Sequence, residues 1–327
     1  MPTASRRSFW RLAATVLASS LLLVGALSLK PCRAEAEPVA LTFDDLPVMS
    51  INDDADYQRT TMARLIKGLH RHHYPAFGFA IGGDVESGPD HLGERLLNEW
   101  MEAGFPVGNH TWSHNSLNKT PVETYIADTA RADALLRGLM RPHGQTPQWF
   151  RHPYLDTGAT LEDKHRFEGW LKAHGYRVAP VTMENSDWEF SPAYDQALKT
   201  GDLAKAEAVR RAYVRYTASV VTWYRAAGLQ LLGRRPAYVF LLHACRLNAD
   251  SIDDLAHIFR ENGLKPVSLA KAMRDPVYRR SDDWADADGD EWLTRWAHLA
   301  HKKLDWDKFP DPPSDISDES DRLDPNE

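Results

Sequence analysis

The chain has 327 residues, of which 43% are hydrophobic and 26% charged, and its formal net charge is −7. These values are ordinary for a globular protein, and the length allows one barrel-sized α/β domain or two smaller ones. A net acidic chain without a basic stripe argues against a nucleic-acid partner.

Residues 1–36 read as an export signal. Arg6, Arg7 and Arg11 form a positive region, residues 12–29 an apolar run, and Ala34-Glu35-Ala36 a small-x-small cleavage site. Ser5-Arg6-Arg7-Ser8-Phe9 also resembles a twin-arginine signal, so both general secretory and twin-arginine export stay open. The expected mature protein is periplasmic or extracellular and not stably inserted in a membrane. Cleavage removes Cys32 and leaves Cys245 alone, which excludes an intrachain disulfide. Cys245 lies in an apolar stretch and reads as a buried, inert thiol.

Beyond the signal, strand-sized apolar runs fall at residues 39–43, 76–81, 105–108, 148–151, 176–182, 238–242 and 265–268. Helix-like segments separate most of them. In residues 123–140, Tyr125, Ala132, Leu135, Leu136 and Leu139 recur at helical spacing, behind Thr120-Pro121 as a start signal. Residues 253–261 end at Gly263, a helix stop. Strand then helix, repeated, implies parallel strands with crossover helices. A closed or nearly closed barrel fits best, because polar residues follow the runs: Asp44 and Asp45 after the first, His110 after the third, Arg151 closing the fourth, His243 after the sixth. In a barrel, all strand C-terminal ends converge on one face. Residues 193–232 exceed a simple crossover and are expected to form a helical insertion, as a hairpin or one long helix. Residues 284–306 look helical, with Trp292 and Trp296 on one face, within a C-terminal helical extension over 273–310. Residues 311–327 are Asp-, Ser- and Pro-rich and are expected to be disordered.

The chemistry-bearing candidates are few. His110 and His114 are four apart and share a face if a helical turn begins there. Asp44-Asp45 ends a strand run, with Pro47 stiffening the loop beyond. Two imidazoles and one carboxylate can hold a zinc-type ion with coordination positions open, leaving the second carboxylate as a base. The same two-histidine, one-carboxylate set also suits a non-haem iron oxygenase. A carbohydrate-binding protein with a silent site is a further alternative.

Five segments in order resemble the motifs of the polysaccharide deacetylase family, carbohydrate esterases with the NodB homology domain. They are Thr42-Phe43-Asp44-Asp45, His110-Thr111-Trp112-Ser113-His114, Arg151-His152-Pro153-Tyr154, Ser186-Asp187-Trp188 and Leu241-Leu242-His243. The resemblance covers roughly residues 38–272 and implies a distorted (β/α)7–8 barrel. It implies Asp45, His110 and His114 as ligands of a divalent cation, most simply Zn2+, with Co2+ or Ni2+ as alternatives. It implies Asp44 as base, Arg151 holding that Asp, His243 as acid and Asp187 tuning the histidine. His152, Pro153 and Tyr154 would form a groove wall, Trp188 would line the pocket, and Leu241 would border the acetyl group. The implied reaction is hydrolysis of an N- or O-acetyl group on a carbohydrate, with an acetylated polysaccharide or oligosaccharide as partner. Three departures stand out: Leu46 where the family has glycine, Ala244-Cys245 after His243, and the long helical insertion.

Overall fold

The computed structural model describes residues 36–324. The expected export signal, with Cys32, lies outside the described residues apart from its last position. No helix among the described residues is long and apolar enough to cross a membrane.

Seven parallel strands are present: β1 (Glu37–Leu46), β2 (Ala76–Ala80), β3 (Val107–Asn109), β4 (Trp149–Phe150), β5 (Arg177–Val178), β6 (Tyr238–His243) and β7 (Leu264–Pro266). The order is β5-β4-β3-β2-β1-β6, and β7 pairs with Glu37–Val39 of β1 before the β2 pairing begins at Leu41. A parallel bridge between Met183 and Phe240 joins the chain beyond β5 to β6, so the sheet curls back on itself. This is the distorted barrel the alternating pattern predicts. The fifth strand is shorter than the 176–182 run because Pro180 lacks the N–H a ladder needs.

Helices α1 (Ala55–Arg71), α2 (Gly82–Val85), α3 (Leu92–Glu102), α4 (Val122–Met140) and α5 (Leu161–Ala173) follow the first four strands. Between β5 and β6 run α6 (Asp187–Thr200) and α7 (Leu203–Leu232), joined at Gly201-Asp202. Gly201 has a φ of 76° and closes α6, and the Asp202 side chain accepts from the Lys205 N–H to open α7. The long segment is thus two helices, and it begins at Asp187 rather than 193. α8 (Arg246–Glu261) and α9 (Leu269–Ala272) flank β7.

Only Trp292–Leu299 of the expected 284–306 helix is helical, as α10. Trp292 and Trp296 are both buried there, as their spacing predicts. The rest of the segment is fixed by ion pairs: buried Arg295 holds Asp282 at 2.7 Å, and Asp282 also meets buried Lys164 of α5 at 3.1 Å. Residues 311–327 are not disordered throughout as expected: Ser314–Leu323 form α11. This helix docks on α6, burying Ile316, with Ser317 Oγ donating to Glu189 at 2.7 Å and Glu319 paired with Lys205. Its composition suits water on most sides, and one buried isoleucine with two polar ties orders it.

Candidate active site

Adjacent residues of a regular strand face opposite ways, so Asp44 and Asp45 could not both serve one site on a straight β1. A bulge removes the difficulty. Phe43 pairs with Gly78 and Leu46 with Ala80, which leaves one extra residue in β1, and Asp45 takes a φ of 58°. Leu46, the departure from glycine, then turns inward and packs over Gly78, where a Cβ would lie 2.0 Å from Leu46 Cδ1. Gly78 provides the space that Leu46 uses.

His110 follows β3. Residues 110–114 are not the helical turn that the spacing suggested: Thr111 and His114 have φ of 66° and 53°. The turn is tied by side chains. Asn109 Oδ1 accepts the Thr111 N–H at 2.8 Å, Thr111 Oγ1 accepts the His114 N–H at 3.0 Å, and Asp128 accepts the N–H groups of Trp112 and Ser113. The two imidazole rings come to 5.0 Å between centroids. His110 Nδ1 lies 2.8 Å from the Arg151 carbonyl oxygen, and His114 Nδ1 3.2 Å from the Tyr154 hydroxyl. With Nδ1 engaged in this way, each ring presents Nε2 to the site.

Both Nε2 atoms face Asp45 Oδ1, at 3.3 Å from His110 and 3.4 Å from His114. Ligand atoms of all three residues fall within 4.8 Å of one another. Asp45 Oδ1 is buried and has no hydrogen-bond partner. A buried carboxylate oxygen without a donor is costly unless a cation completes it. Two imidazole nitrogens and one carboxylate oxygen match the three-ligand set of an open zinc site, and cobalt and nickel accept the same donors. The residues present fit such an ion. Burial pushes His114 down to about 4, which keeps it neutral as a ligand must be. Burial alone would raise Asp45, but His114 and then His110 hold it below the ordinary carboxylate range.

Asp44 lies on the other wall. Arg151 Nη1 reaches its Oδ2 at 2.9 Å and its Oδ1 at 3.2 Å, Nη2 donates to Thr42 Oγ1 at 3.1 Å, and Nε to the Ala179 carbonyl at 2.9 Å. Arg151 is wholly buried, which lowers its own pKa somewhat, and it fixes the Asp44 rotamer. His243 ends β6 opposite Asp44 in the β1–β6 ladder. Asp187 Oδ1 holds its Nδ1 at 2.6 Å, and Nε2 is 4.0 Å from Asp45 Oδ2. Burial works against its charge, but Asp187, and less strongly Asp45 and Asp44, raise His243 to about 10.

These groups meet at a cavity of about 420 Å³. Asp44, His110, His114, His243, Tyr154, Trp188 and Leu241, all singled out from the sequence, line it. Asp45, Arg151, Asp187 and Pro153 are buried and do not line it; the first three touch residues that do, and Pro153 forms the turn that carries Tyr154. The sequence reading missed Glu184, Ser186 and Glu291 as lining groups, whereas His152, expected in the groove wall, is among the lining residues. Ser186 stood inside a motif and could have been found there. Glu291 arrives from far along the chain and carried no signal; burial pushes it up to about 7. No lysine or arginine is among the lining residues. Cys245, beside His243, is buried with its thiol well above the ordinary range, so it is inert as expected.

A parallel α/β barrel with a two-histidine, one-aspartate cluster at its strand C-terminal ends defines the class. Residues 33–178 match the family model described as Polysaccharide deacetylase. The match stops before Asp187 and His243. A peptidoglycan-N-acetylglucosamine deacetylase from Bacillus cereus is 27% identical over 151 residues, 46% of each chain. The peptidoglycan-N-acetylglucosamine deacetylase PgdA from Listeria monocytogenes is 23% identical over 47% of this chain and 28% of its own. The chain thus spans less than half the length of these curated relatives. The solved chitin deacetylase from Colletotrichum lindemuthianum shares the fold with a TM-score of 0.52 at 19% identity, covering 73% of this chain and 88% of that one. These relatives do not favour the oxygenase or the silent binding protein.

Proposed function

We propose that this protein is a divalent-metal-dependent deacetylase that hydrolyses acetyl groups on a carbohydrate, with polymers or oligomers of N-acetylglucosamine as the first candidates. The observation that carries the reading is the partnerless Asp45 Oδ1 facing two histidine Nε2 atoms, between an arginine-held Asp44 and an aspartate-held His243. Asp45, His110 and His114 would hold the ion, with Zn2+ the best match to the donors. Such an ion supplies Lewis-acid polarisation of the acetyl carbonyl and brings a water's pKa towards about 7.

The chain's own residues do the rest. Asp44, held by Arg151, accepts the proton of the attacking water as the new C–O bond forms at the acetyl carbon. His243, protonated at Nε2 because Asp187 stabilises its charge, gives that proton to the leaving nitrogen or oxygen as the acyl bond breaks. Acetate and a free amine or hydroxyl result. Leu241 and Trp188 offer apolar contact for the acetyl methyl and the sugar face, and Tyr154 holds the wall beside His114. The export signal read at the N-terminus would deliver the enzyme to the periplasm or the exterior, where such glycans lie. The relatives that act on peptidoglycan N-acetylglucosamine support this substrate class.

The test is acetate release from chitooligosaccharides and from peptidoglycan. Chelated protein should release none, and added Zn2+, Co2+ or Ni2+ should restore release. Full activity after chelation, with no metal in the protein by mass spectrometry, would discard the reading.

A further inference from the structure

His243 is held by more than its aspartate. Asp187 Oδ2 accepts the His243 backbone N–H at 2.7 Å and also the Asn248 side-chain amide. Asn248, in the first turn of α8, donates as well to the His243 carbonyl at 2.9 Å. The two hydrogens of its amide thus go to Asp187 and to the backbone of His243. Its Oδ1 accepts from the hydroxyl of Tyr213, on α7. The Tyr213 hydroxyl in turn accepts from Asn185 Nδ2 at 2.7 Å, and Asn185 Nδ2 also reaches Thr217 Oγ1 at 3.0 Å. Tyr213, Thr217, Asn185 and Asn248 are each fully excluded from solvent. One buried chain of side chains therefore runs from the imidazole through Asp187 and Asn248 into α7.

The chemistry of an amide gives this chain a direction. An asparagine side chain can present its oxygen or its NH2 to either neighbour, and its partners decide which. Asp187 is an acceptor, so Asn248 must show it the NH2. The Tyr213 hydroxyl on the opposite side donates to the oxygen and fixes that choice. Without it, a rotated amide would set oxygen against carboxylate, and Asp187 would lose a donor next to the imidazole it aims. We infer that Tyr213 is a positioning residue for His243: its hydroxyl orients Asn248, which holds Asp187, which sets the imidazole. The helix pair between β5 and β6 is then part of the acid apparatus. The inference rests on reading His243 as the proton donor.

Tyr213→Phe keeps the ring and removes the hydroxyl. An amine leaves only when protonated, whereas 4-nitrophenolate leaves without help. The readout is therefore the ratio of kcat on an N-acetylglucosamine oligomer to kcat on 4-nitrophenyl acetate. Tyr213→Phe should lower that ratio about 10-fold with KM for the oligomer unchanged, since small displacements of a catalytic group cost up to about 100-fold. Asn248→Ala should give a similar loss, and the double variant no more than either alone, as expected for links of one chain. His243→Ala is the reference and should lower the ratio furthest. If His243→Ala lowers the ratio and Tyr213→Phe leaves it at the wild-type value, or slows both substrates equally, the inference is overturned and the acid assignment stands. If His243→Ala itself leaves the ratio unchanged, the acid assignment falls first. Should Tyr213→Phe fold poorly, Thr217→Val removes the far end of the chain, and nitrogen NMR of the His243 ring reports the same coupling: an unmoved Nδ1 signal counts against it and a shifted one for it.

Discussion

The two sides of the cavity are built on opposite terms. On one side, Asp45, His110 and His114 point their ligand atoms at each other, and Asp45 Oδ1 has no partner. On the other, Asp187 takes the His243 ring, the His243 N–H and the Asn248 amide, so both oxygens are occupied. Both sets are buried except for His114, which is partly exposed. A buried acceptor without a donor costs on the order of 1–3 kcal/mol, more when charged, so Asp45 Oδ1 is the costly atom of its wall unless a cation completes it. Hydrogen-bond satisfaction thus separates a wall with an open carboxylate oxygen from a wall whose carboxylate the protein satisfies itself. Asp44 belongs to neither extreme. Arg151 supplies its donors while one edge still faces the cavity.

The sharpest way to break the comparison is at Asp44. Asp44→Asn should lower kcat by roughly 10²–10⁴-fold, the range for a lost general base, while metal content measured by mass spectrometry stays at the wild-type level. A variant that also lost its metal would move Asp44 to the cation wall. His110→Ala comes next and should act on metal first. Zinc affinity in a competition titration should fall by more than the roughly 10–100-fold that removal of an outer partner costs, with activity lost in parallel. Unchanged affinity would mean that the open wall is not a metal site.

Which of these residues could be read in advance follows from where their positions are decided. Asp44, His110, Arg151 and His243 sit at strand ends, and a strand end is visible as the last residue of an apolar run. The barrel was legible for the same reason, from seven runs separated by helical stretches. The bulge at Asp45 was not, because an extra residue in β1 has meaning only against its pairing with β2. The His110–His114 turn was misjudged: equal spacing on a helix and in a tied left-handed turn look alike in sequence. Glu291 reaches the cavity on a segment anchored through Asp282, which pairs with Arg295 nearby and with Lys164, 118 residues away in sequence. Tyr213 lies inside the long insertion, and only tertiary structure gives its hydroxyl a partner.

The two walls should also separate by pH in the cation-free protein. His243 is raised to about 10, against about 6.5 for an unfolded histidine. The folded state therefore holds a proton that the unfolded state releases above about 6.5, so this stabilisation is complete below that pH and is lost as pH rises towards 10. Asp45 is held below its ordinary value, so its contribution is present above about 4 and lost as pH falls. Thermal melts of the chelated protein should show Tm falling by several degrees from pH 6.5 to 10. Asp187→Asn should flatten that alkaline slope and leave the acid limb in place. An alkaline slope equal to wild type would detach Asp187 from the charge on His243.

The smallest effects should come from α11, where satisfaction and burial can be weighed against each other. Its ties are one buried apolar side chain, Ile316, the Ser317–Glu189 hydrogen bond, and the Lys205–Glu319 pair, in which the lysine is 41% exposed. A partly exposed pair is worth about 0.2–1 kcal/mol, whereas truncating a buried isoleucine costs about 2 kcal/mol or more. This helix can open without the barrel, so amide exchange over residues 314–323 is the measurement, not global unfolding. Ile316→Ala should speed exchange there by about 30-fold or more, and Glu319→Gln by about 5-fold or less, since each 1.4 kcal/mol is a factor of about ten. If Glu319→Gln opened the helix as far as Ile316→Ala, the acidic tail would be held by charge. The contrast drawn at the cavity, where desolvation decides what must be satisfied, would then not extend to the surface.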